Sequence, residues 1–480
     1  MTCNGVSMIN SDSAYPRFWE SFQKHGENPA VVDYRSRTTI TYRQLEHLTR
    51  RGATQLQGFD KQLACLPMTN DVDAMLCYLS LLRSGHAIYL CGPQADIALD
   101  GKFTASYRPG LILWKRQKRP ASIGLNDYQD MGELFGYCIA RCSKIEAGES
   151  IYPELALLLS TSGSTASSKT VRLSYRNIAA NAWQIAQTLN IDQTERAVLS
   201  LPLQYAYGLS VLHSFLSVGA CLVIGGRTVM ESSFWDMCRA VQATTLPAVP
   251  TMLRFMQSIG VEDMTLPSLR KITVAGAAMD TPTRNWMVSQ IAPKQIQIYS
   301  MYGMTEATAR IAVLPADAFA NCPASVGRAL PHGVLELLPS GEIVYRGPNV
   351  MLGYANARAD LACADKLGGV LNTGDLGSLD AAGHLYITGR LNRFCKLLGA
   401  RINLTDVEDQ LAHLGEVAAV SDDESIRVFH TNADESQVNQ SANQLADQWR
   451  IPRAALMFKR VQSIPRTDSG KVRYPELWKL

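Results

Sequence analysis

Residues 157–169 read LLLSTSGSTASSK, an apolar strand that leads into small hydroxyl residues around one glycine and ends at a lysine. Such a segment can present backbone N–H groups and hydroxyls to a concave space, an arrangement that binds phosphate. A Walker A loop would have a second glycine directly before the lysine, where this chain has Ser168 before Lys169. Runs of Ser, Thr and Gly are also typical of plain surface turns. Alone, the segment is therefore compatible with a phosphate loop or with a polar turn.

The elements around this loop are predicted from hydrophobic periodicity. Beyond residue 156 apolar strands alternate with helical patterns, with strands at 157–159, 197–201 and 220–224 and helices at 176–189 and 210–216. This alternation is typical of an α/β fold with ligand loops at strand ends. Nearer the start, 30–42 predicts short strands, and Thr41 can cap an amphipathic helix that carries Leu45 and Leu48. A second helix is predicted over 75–83 and ends near Gly85.

Composition narrows the class of protein. A length of 480 residues predicts roughly three compact units, or one large and one small domain. With 46 basic and 43 acidic residues the net charge is +3, so nucleic acid is not an expected partner. The eleven cysteines are dispersed without a C-x-x-C pair, which favours reduced thiols and a cytoplasmic protein. The polar first residues lack the apolar core of a signal peptide.

Two longer segments bear on domain organisation. Residues 197–226 carry no charge over a length that can cross a bilayer, but their polar and glycine positions favour a buried strand–helix–strand segment. We therefore expect no membrane span. Composition changes near residue 392, which predicts a large domain over 1–391 and a small one over 392–480. The small domain is predicted to hold a short helix at 404–414, an apolar strand and a polar, acid-bearing stretch at 421–448.

Four segments occur in a fixed order: TSGSTASSK at 161–169, YGMTEA at 302–307, NTGDLGSLDAAGHLYITGR at 372–390 and PRTDSGKVR at 465–473. Their order and spacing resemble the adenylate-forming (AMP-binding) superfamily of acyl-CoA synthetases, aryl-acid ligases and adenylation domains. The resemblance extends from about residue 29 to residue 480. It implies a large α/β unit of several subdomains, followed by a small, mobile α+β domain.

The resemblance also implies a reaction. A carboxylate attacks the α-phosphate of ATP, pyrophosphate leaves, and a thiol then displaces AMP from the acyl-adenylate. ATP and Mg²⁺ are the implied cofactors, with coenzyme A as the expected co-substrate. Because the pentacoordinate phosphorus carries extra negative charge, catalysis depends chiefly on positioning and fixed positive charge.

Nucleotide contacts follow from the matched motifs. The residues expected to bind the phosphates are Thr161, Ser162, Gly163, Ser164, Thr165 and Lys169. Gly276 and Ala277 resemble the turn that borders the adenine, and Tyr302, followed by Gly303, matches the aromatic residue that stacks on the base. Asp375 matches the acid that accepts both ribose hydroxyls, and Arg390 the arginine that also reaches the ribose. Ala166 and Ser168 depart from the usual glycine and proline of the phosphate loop.

Catalytic roles are implied in the same way. Lys471, in Ser-Gly-Lys, matches the lysine that bridges the carboxylate and α-phosphate oxygens. Thr305 and Glu306 match the pair that contacts phosphate and positions Mg²⁺, with Thr165 as a second expected metal contact. Asn392 takes the place of the usual hinge aspartate. The face expected to serve the second half-reaction, after rotation of the small domain, holds Lys396, Gly399 and Arg401.

The predicted acid pocket has the residues Tyr205, Tyr207, Gly208, Ala275 and Met304. Residues 202–210 contain no acid that would pair with an ammonium, so α-amino acids are disfavoured and a small apolar or aromatic carboxylic acid is expected. The acceptor is coenzyme A, a phosphopantetheinyl carrier protein or an amine. The basic run 115–119 is more typical of a solvated loop, but it is also a candidate contact for the phosphates of coenzyme A. A nucleotide-binding relative without turnover is the remaining alternative.

Overall fold

The structure is a computed structural model that describes residues 15–92, 101–118, 127–143, 150–160, 170–397, 400–422, 424–432, 434–449, 451–466 and 472–480. Its helices within these ranges are α1 (Tyr42–Gln55), α2 (Val72–Arg83), α3 (Gly101–Tyr107), α4 (Tyr175–Thr188), α5 (Ala206–Ser217), α6 (Ser232–Ala240), α7 (Pro250–Ser258), α8 (Thr281–Trp286), α9 (Leu404–Gln410), α10 (Glu435–Trp449) and α11 (Tyr474–Leu477).

The strands of the described residues, in chain order, are β1 (Pro29–Asp33), β2 (Thr38–Thr41), β3 (Leu63–Pro67), β4 (Ala87–Cys91), β5 (Leu111–Lys115), β6 (Tyr128–Leu134), β7 (Tyr137–Cys142), β8 (Leu155–Ser160), β9 (Thr170–Ser174), β10 (Arg196–Val198), β11 (Cys221–Ile224), β12 (Thr245–Ala248), β13 (Lys271–Val274), β14 (Gln297–Tyr302), β15 (Ala312–Val313), β16 (Arg328–Ala329), β17 (Val334–Leu337), β18 (Glu342–Arg346), β19 (Gly353–Ala355), β20 (Val370–Leu379), β21 (Leu385–Arg390), β22 (Phe394–Leu397), β23 (Ala400–Asn403), β24 (Val417–Ser421), β25 (Ile426–His430) and β26 (Leu456–Arg460).

Three sheets form the larger, N-terminal part. One has nine strands in the order β16-β15-β14-β13-β12-β10-β11-β1-β2, and the run from β14 to β1 is parallel. A second has eight strands, β19-β9-β8-β4-β3-β5-β7-β6, with a parallel centre from β8 to β5. The third is antiparallel, β17-β18-β20-β21. Carboxyl ends of parallel strands meet at one edge, where ligand loops are expected.

Side chains of the central strands alternate between two cores, because successive residues of a strand point to opposite faces. In the nine-stranded sheet Ala197 and Leu199 face a core that is shared with the eight-stranded sheet, whereas Val198 faces a separate core. On the eight-stranded sheet Leu157 faces the same shared core, whereas Leu158 faces a third core on the opposite side. Helices α1, α2, α4 and α5 pack in the shared core. Burial on both faces explains why these strands read as nearly continuous apolar runs.

The C-terminal part has its own sheets and core. β22 and β23 form a hairpin, β24, β25 and β26 form a three-stranded sheet, and none of these strands pairs with an earlier strand in the described ranges. Its core is built around residues such as Val407, Val428 and Leu445. The chain is thus a mixed α/β protein with a large N-terminal and a smaller C-terminal domain. The exact boundary at 391/392 stays a prediction.

Several predicted elements are confirmed. Thr41 caps α1 in a capping box with Gln44, whose side chain accepts from the Thr41 N–H. The uncharged stretch 197–226 folds as β10, α5 and β11, and no helix in the described part of the chain is both long and apolar enough to span a membrane. The stretch 421–448, predicted only as polar, contains β25 and all but the last residue of the 15-residue helix α10.

Candidate active site

Two glycine turns lie at the carboxyl ends of β13 and β14. Gly276, two residues after β13, has φ +100°, a conformation that favours glycine. Gly303 follows β14 directly, and a Cβ there would lie 1.8 Å from the carbonyl oxygen of Ala309. The backbone at Gly303 can therefore pass so close to Ala309 only without a side chain. Both predicted nucleotide turns thus lie at the sheet edge where ligands bind in parallel α/β folds.

The structure brings together three residues that the sequence predicts around the ribose and base. Tyr302, at the end of β14, donates to Asp375 Oδ2 at 2.6 Å, and Arg390 Nε lies 2.7 Å from Asp375 Oδ1. Asp375 and Arg390 are cross-strand partners on β20 and β21, which explains their contact. The Asp375 side chain is 4% exposed, whereas that of Arg390 is 58% exposed. A buried carboxylate is thereby fixed next to an accessible cation.

Electrostatics in this cluster keep the phenol neutral. Burial, reinforced by the Asp375 carboxylate, raises the pKa of Tyr302 well above its usual range. Tyr302 therefore remains a hydrogen-bond donor at neutral pH. Asp375 Oδ2 accepts the hydrogen bond from Tyr302, and Oδ1 forms the ion pair with Arg390. Each carboxylate oxygen has capacity for further donors such as ribose hydroxyls.

Glu306 lies in a single helical turn, Thr305–Ala307, directly after this strand end. It is 9% exposed, and its Oε1 accepts a 2.9 Å hydrogen bond from Tyr354 on β19. β19 pairs with β9, so Glu306 is tied to the strand that follows the predicted phosphate loop. Burial, with the Glu306 carboxylate, raises the pKa of Tyr354. Tyr354 was not predicted as a site residue, because one tyrosine in an otherwise irregular segment carries no periodic signal.

The predicted phosphate loop, 161–169, lies outside the described residues. This covers Thr161, Ser162, Gly163, Ser164, Thr165 and Lys169. The flanking residues Ser160 and Thr170 are partners in the antiparallel pair of β8 and β9, so the two ends of the segment are adjacent. Ser160 Oγ also hydrogen bonds Tyr89 Oη at 3.0 Å.

The residues of the predicted acid pocket lie around the start of α5. Tyr205 is the residue before the helix, and a Cβ on Gly208 would lie 2.4 Å from the carbonyl oxygen of Pro202. Tyr207 donates to the carbonyl oxygen of Thr273 on β13 at 2.8 Å. Ala275 is buried and Met304 is half-buried. The pocket residues thus gather between α5 and the ends of β13 and β14.

One residue of this region was missed from the sequence. Arg310 is 2% exposed, and its guanidinium lies 4.5 Å from the centre of the Tyr207 ring. Burial lowers the pKa of Arg310 from its usual range. In the sequence it stands in TARIAV, where a lone arginine among apolar residues is more typical of a solvated charge than of a buried one.

The C-terminal site residues are only partly described. Gly399 and Lys471 lie outside the described residues, as do the side chains of Asn392, Lys396 and Arg401. The backbone positions of Lys396 and Arg401 are paired across the β22–β23 hairpin. Arg466 and Val472 form an antiparallel bridge, so the residues that flank 467–471 are also paired.

A half-buried cluster of Arg393, Glu408 and Tyr474 lies next to the predicted hinge. Arg393 pairs with Glu408 of α9 at 2.6 Å, and its guanidinium lies 3.9 Å from the centre of the Tyr474 ring. Tyr474 also donates to Glu408 at 3.2 Å. Burial raises the pKa of Glu408, although Arg393 opposes the shift. The cluster joins the residue after Asn392 to α11, which begins three residues after Lys471.

Comparisons with known proteins agree with the α/β fold and with the matched sequence motifs. A family model described as AMP-binding enzyme matches residues 124–355. This part of the chain is therefore an AMP-binding domain.

Individual relatives cover nearly the whole chain. It is 26% identical over 466 residues to a 2-succinylbenzoate–CoA ligase of Bacillus velezensis, covering 90% of this chain and 91% of the relative. It is 28% identical to the enzyme of the same name from Bacillus subtilis, covering 90% of this chain and 92% of the relative. A solved structure of o-succinylbenzoate CoA synthetase from Bacillus subtilis, in complex with an acyl-adenylate intermediate, superposes with a TM-score of 0.77. Its identity is 22%, with 96% of this chain and 98% of that chain covered, so it supports the fold.

Proposed function

We propose that this protein is an acid–CoA ligase. It converts a carboxylic acid and ATP into an acyl-adenylate and pyrophosphate, and then transfers the acyl group to the thiol of coenzyme A with release of AMP. The observation that carries the proposal is the buried Asp375 carboxylate held between Tyr302 and Arg390, beside glycine turns at the carboxyl edge of a parallel sheet. The names of the relatives, which are CoA ligases over about nine-tenths of this chain, support coenzyme A over a carrier protein as acceptor.

In the first half-reaction the protein positions its reactants. Asp375 accepts hydrogen bonds from the ribose hydroxyls, and Arg390 lies close enough to donate to the same hydroxyls. An oxygen of the substrate carboxylate forms a bond to the α-phosphorus, and the bond from that phosphorus to the pyrophosphate oxygen breaks. Lys471 supplies positive charge to the carboxylate and α-phosphate oxygens as negative charge accumulates.

Glu306 fits the binding of Mg²⁺ together with substrate phosphates. Its carboxylate is nearly buried, and its only hydrogen bond within the described residues is from Tyr354, to Oε1. No group of three or more His, Cys, Asp or Glu side chains in the described ranges forms a metal site. One carboxylate completed by phosphate oxygens and water is the coordination that Mg²⁺ prefers, and the ion would neutralise phosphate charge.

In the second half-reaction the thiol sulfur forms a bond to the acyl carbon, and the bond from that carbon to the AMP oxygen breaks. The thiol proton is released, and AMP leaves as the anion. Lys396, Gly399 and Arg401 are proposed to face the cleft at this stage. The dispersed cysteines of the sequence, without a C-x-x-C pair, support a reducing, cytoplasmic location.

ATP–pyrophosphate exchange across a panel of aliphatic and aryl acids tests the first half-reaction. At least one acid is expected to support exchange that requires Mg²⁺. Intact-mass analysis of the products with and without coenzyme A tests the second half-reaction, and an acyl-CoA is expected only when coenzyme A is present. Failure of every acid to support exchange would contradict the adenylation step, whereas adenylate without acyl-CoA would favour a carrier protein or an amine as acceptor.

A further inference from the structure

A strained turn follows Glu306 in the loop that joins β14 to β15. Thr308 has φ +63° and ψ −36°, and the N–H of Ala309 donates to the carbonyl oxygen of Ala307 at 2.7 Å. These features are close to the γ-turn with positive φ, which is rare and strained. Among the eight described non-glycine residues with positive φ, only Thr308 has a β-branched side chain, for which this conformation is especially unfavourable. Such strain persists only where the surrounding structure enforces it.

Asn349, in the segment between β18 and β19, bonds both sides of this turn. Its Nδ2 donates to the carbonyl oxygens of Ala307 at 2.9 Å and of Arg310 at 2.8 Å. Its own carbonyl oxygen accepts a hydrogen bond from Thr308 Oγ1 at 2.6 Å. Asn349 is fully buried, so these bonds lie in a low-dielectric environment that strengthens them. Together they oppose relaxation of the turn to an unstrained conformation.

The amide of Asn349 is itself held in one orientation. Tyr345 Oη on β18 donates to Asn349 Oδ1 at 2.8 Å, which leaves both Nδ2 hydrogens for the turn. Two residues after Asn349, the N–H of Met351 donates to the carbonyl oxygen of Glu306 at 2.9 Å. Farther along, Tyr354 donates to the Glu306 carboxylate at 2.9 Å. The same segment therefore holds Glu306 through its backbone and through its side chain.

We propose that Asn349 is a positioning residue for adenylation, which holds the strained turn at Thr308 and thereby fixes the Glu306 carboxylate beside the substrate phosphates. The inference rests on the proposed function, in which Glu306 binds Mg²⁺ together with those phosphates. Asn349 acts through the turn and does not contact either ligand. A carboxylate that is fixed before binding loses less conformational freedom when the ion and the nucleotide arrive.

Titration calorimetry of ATP with and without Mg²⁺ tests this role. In Asn349→Ala the turn is released, so the gain in ATP affinity that Mg²⁺ provides should fall by about 10- to 100-fold, as it does when residues that orient metal ligands are removed. The affinity for ATP in EDTA should change little. The matched control is Asn70→Ala, because the Asn70 side chain likewise donates to two carbonyl oxygens and accepts one hydrogen bond. This control should keep the wild-type Mg²⁺ gain.

Three results would count against the proposal. A wild-type Mg²⁺ gain in Asn349→Ala would overturn it. An equal loss of ATP affinity with and without Mg²⁺ would also overturn it, because that pattern identifies a general structural role. Absence of any Mg²⁺ gain in the wild-type protein would count against the proposed function, and the inference would fall with it.

A glycine at position 308 tests the link through the strained turn. Glycine adopts positive φ without a steric penalty, so it needs no clamp to keep the turn. Adding Thr308→Gly to Asn349→Ala should therefore recover part of the Mg²⁺ gain, whereas adding Thr308→Ala should not. Recovery with both additions, or with neither, would overturn the inference.

Single substitutions at Thr308 keep the test informative if Asn349→Ala does not fold. Thr308→Gly and Thr308→Ala both lose the hydroxyl bond to Asn349, but only alanine keeps a Cβ. The Tm of Thr308→Gly should exceed that of Thr308→Ala, which is the reverse of the order expected for unstrained backbone. A Tm of Thr308→Gly equal to or below that of Thr308→Ala would show that the turn is unstrained and would contradict the proposal.

Discussion

Asp375 is held in one orientation by its neighbours. Tyr302 and Arg390 each bond one of its oxygens, and the β20–β21 register fixes Asp375 opposite Arg390. Such preorganisation lowers the cost of ordering the site when a ligand binds. The same carboxylate that organises this cluster is the one expected to accept the ribose hydroxyls.

The negative charge of the Asp375 carboxylate should contribute to ATP binding. Asp375→Asn keeps the shape of the side chain but replaces one acceptor oxygen with a donor, so it should weaken ATP binding by about 10- to 100-fold, in line with the value of hydrogen bonds to charged groups. Isothermal titration calorimetry measures the change. Asp380→Asn is the control, because Asp380 lies in the turn of the same hairpin and bonds His384 instead. Equal ATP affinity in both variants would contradict the role of Asp375.

Motif residues were predictable from the sequence, but two important side chains were not. Asp375, Tyr302 and Arg390 carry a motif whose spacing implies a shared site, and the structure brings them into contact. Tyr354 and Arg310 belong to no such motif. Whether these side chains turn inward depends on tertiary packing of β19 against β9 and of α5 against the sheet, which no local pattern encodes.

At the scale of elements, the turn after β14 sets the position of Glu306. Gly303→Ala would place a Cβ 1.8 Å from a backbone oxygen of the same turn, which cannot move as a side chain can. We expect a loss of about 1–3 kcal/mol in the free energy of unfolding, or more, together with weakened exchange. Chemical denaturation measures the loss. Gly92→Ala is the control, since a Cβ there meets nothing within 4 Å, and a similar loss in both variants would contradict the steric argument.

The cluster of Arg393, Glu408 and Tyr474 gives an element-scale prediction with a pH dependence. Arg393→Ala leaves the Glu408 carboxylate buried without its cation, which should cost about 3–5 kcal/mol near neutral pH. Because Arg393 opposes the raised pKa of Glu408, its removal raises that pKa further. A group whose pKa is raised on folding binds its proton more tightly in the folded state. The destabilisation should therefore be largest at neutral pH and shrink as the pH falls through the folded-state pKa of Glu408.

Urea denaturation across the pH range measures this effect. Arg346→Ala serves as the control, because Arg346 forms an exposed ion pair with Glu336 and should change stability little at any pH. A pH-independent loss in Arg393→Ala would show that the guanidinium acts by packing on Tyr474 and not by neutralising Glu408.

Elements with a regular spacing of apolar residues were predictable from the sequence. Elements with few apolar residues to mark their buried face were not. The alternation of strands and helices through 156–224 is confirmed because each buried strand is a short apolar run and each helix has an apolar face. Helix α10 was missed, although Val438 and Leu445 lie seven residues apart on its buried face. Its many Gln, Asn and Ser residues leave few apolar positions to mark that face, so composition suggested a polar stretch instead.

At the scale of the whole molecule, two half-reactions must share one cleft. The large domain supplies the described residues of the proposed nucleotide site. Both proposed sets of small-domain residues, Lys471 and the group of Lys396, Gly399 and Arg401, belong to the C-terminal part. Contacts between the parts include the hydrogen bond from Asn403 Nδ2 to the carbonyl oxygen of Thr388 at 3.2 Å. A rigid rotation of the small domain is an established means of exchanging one face for another.

This arrangement predicts that the two half-reactions can be disabled separately. Lys471→Ala should lower ATP–pyrophosphate exchange by about 10²- to 10³-fold with little change in ATP binding, because one fixed charge on the transferring phosphoryl group is lost. Supplied with preformed acyl-adenylate, the same variant should still produce acyl-CoA. Arg401→Ala should show the opposite pattern, with normal exchange and slow thioester formation. Lys479→Ala, at the C-terminal end, is the charge control for both assays. Loss of the same half-reaction in Lys471→Ala and Arg401→Ala would contradict the exchange of faces, because residues on alternating surfaces must act at different steps.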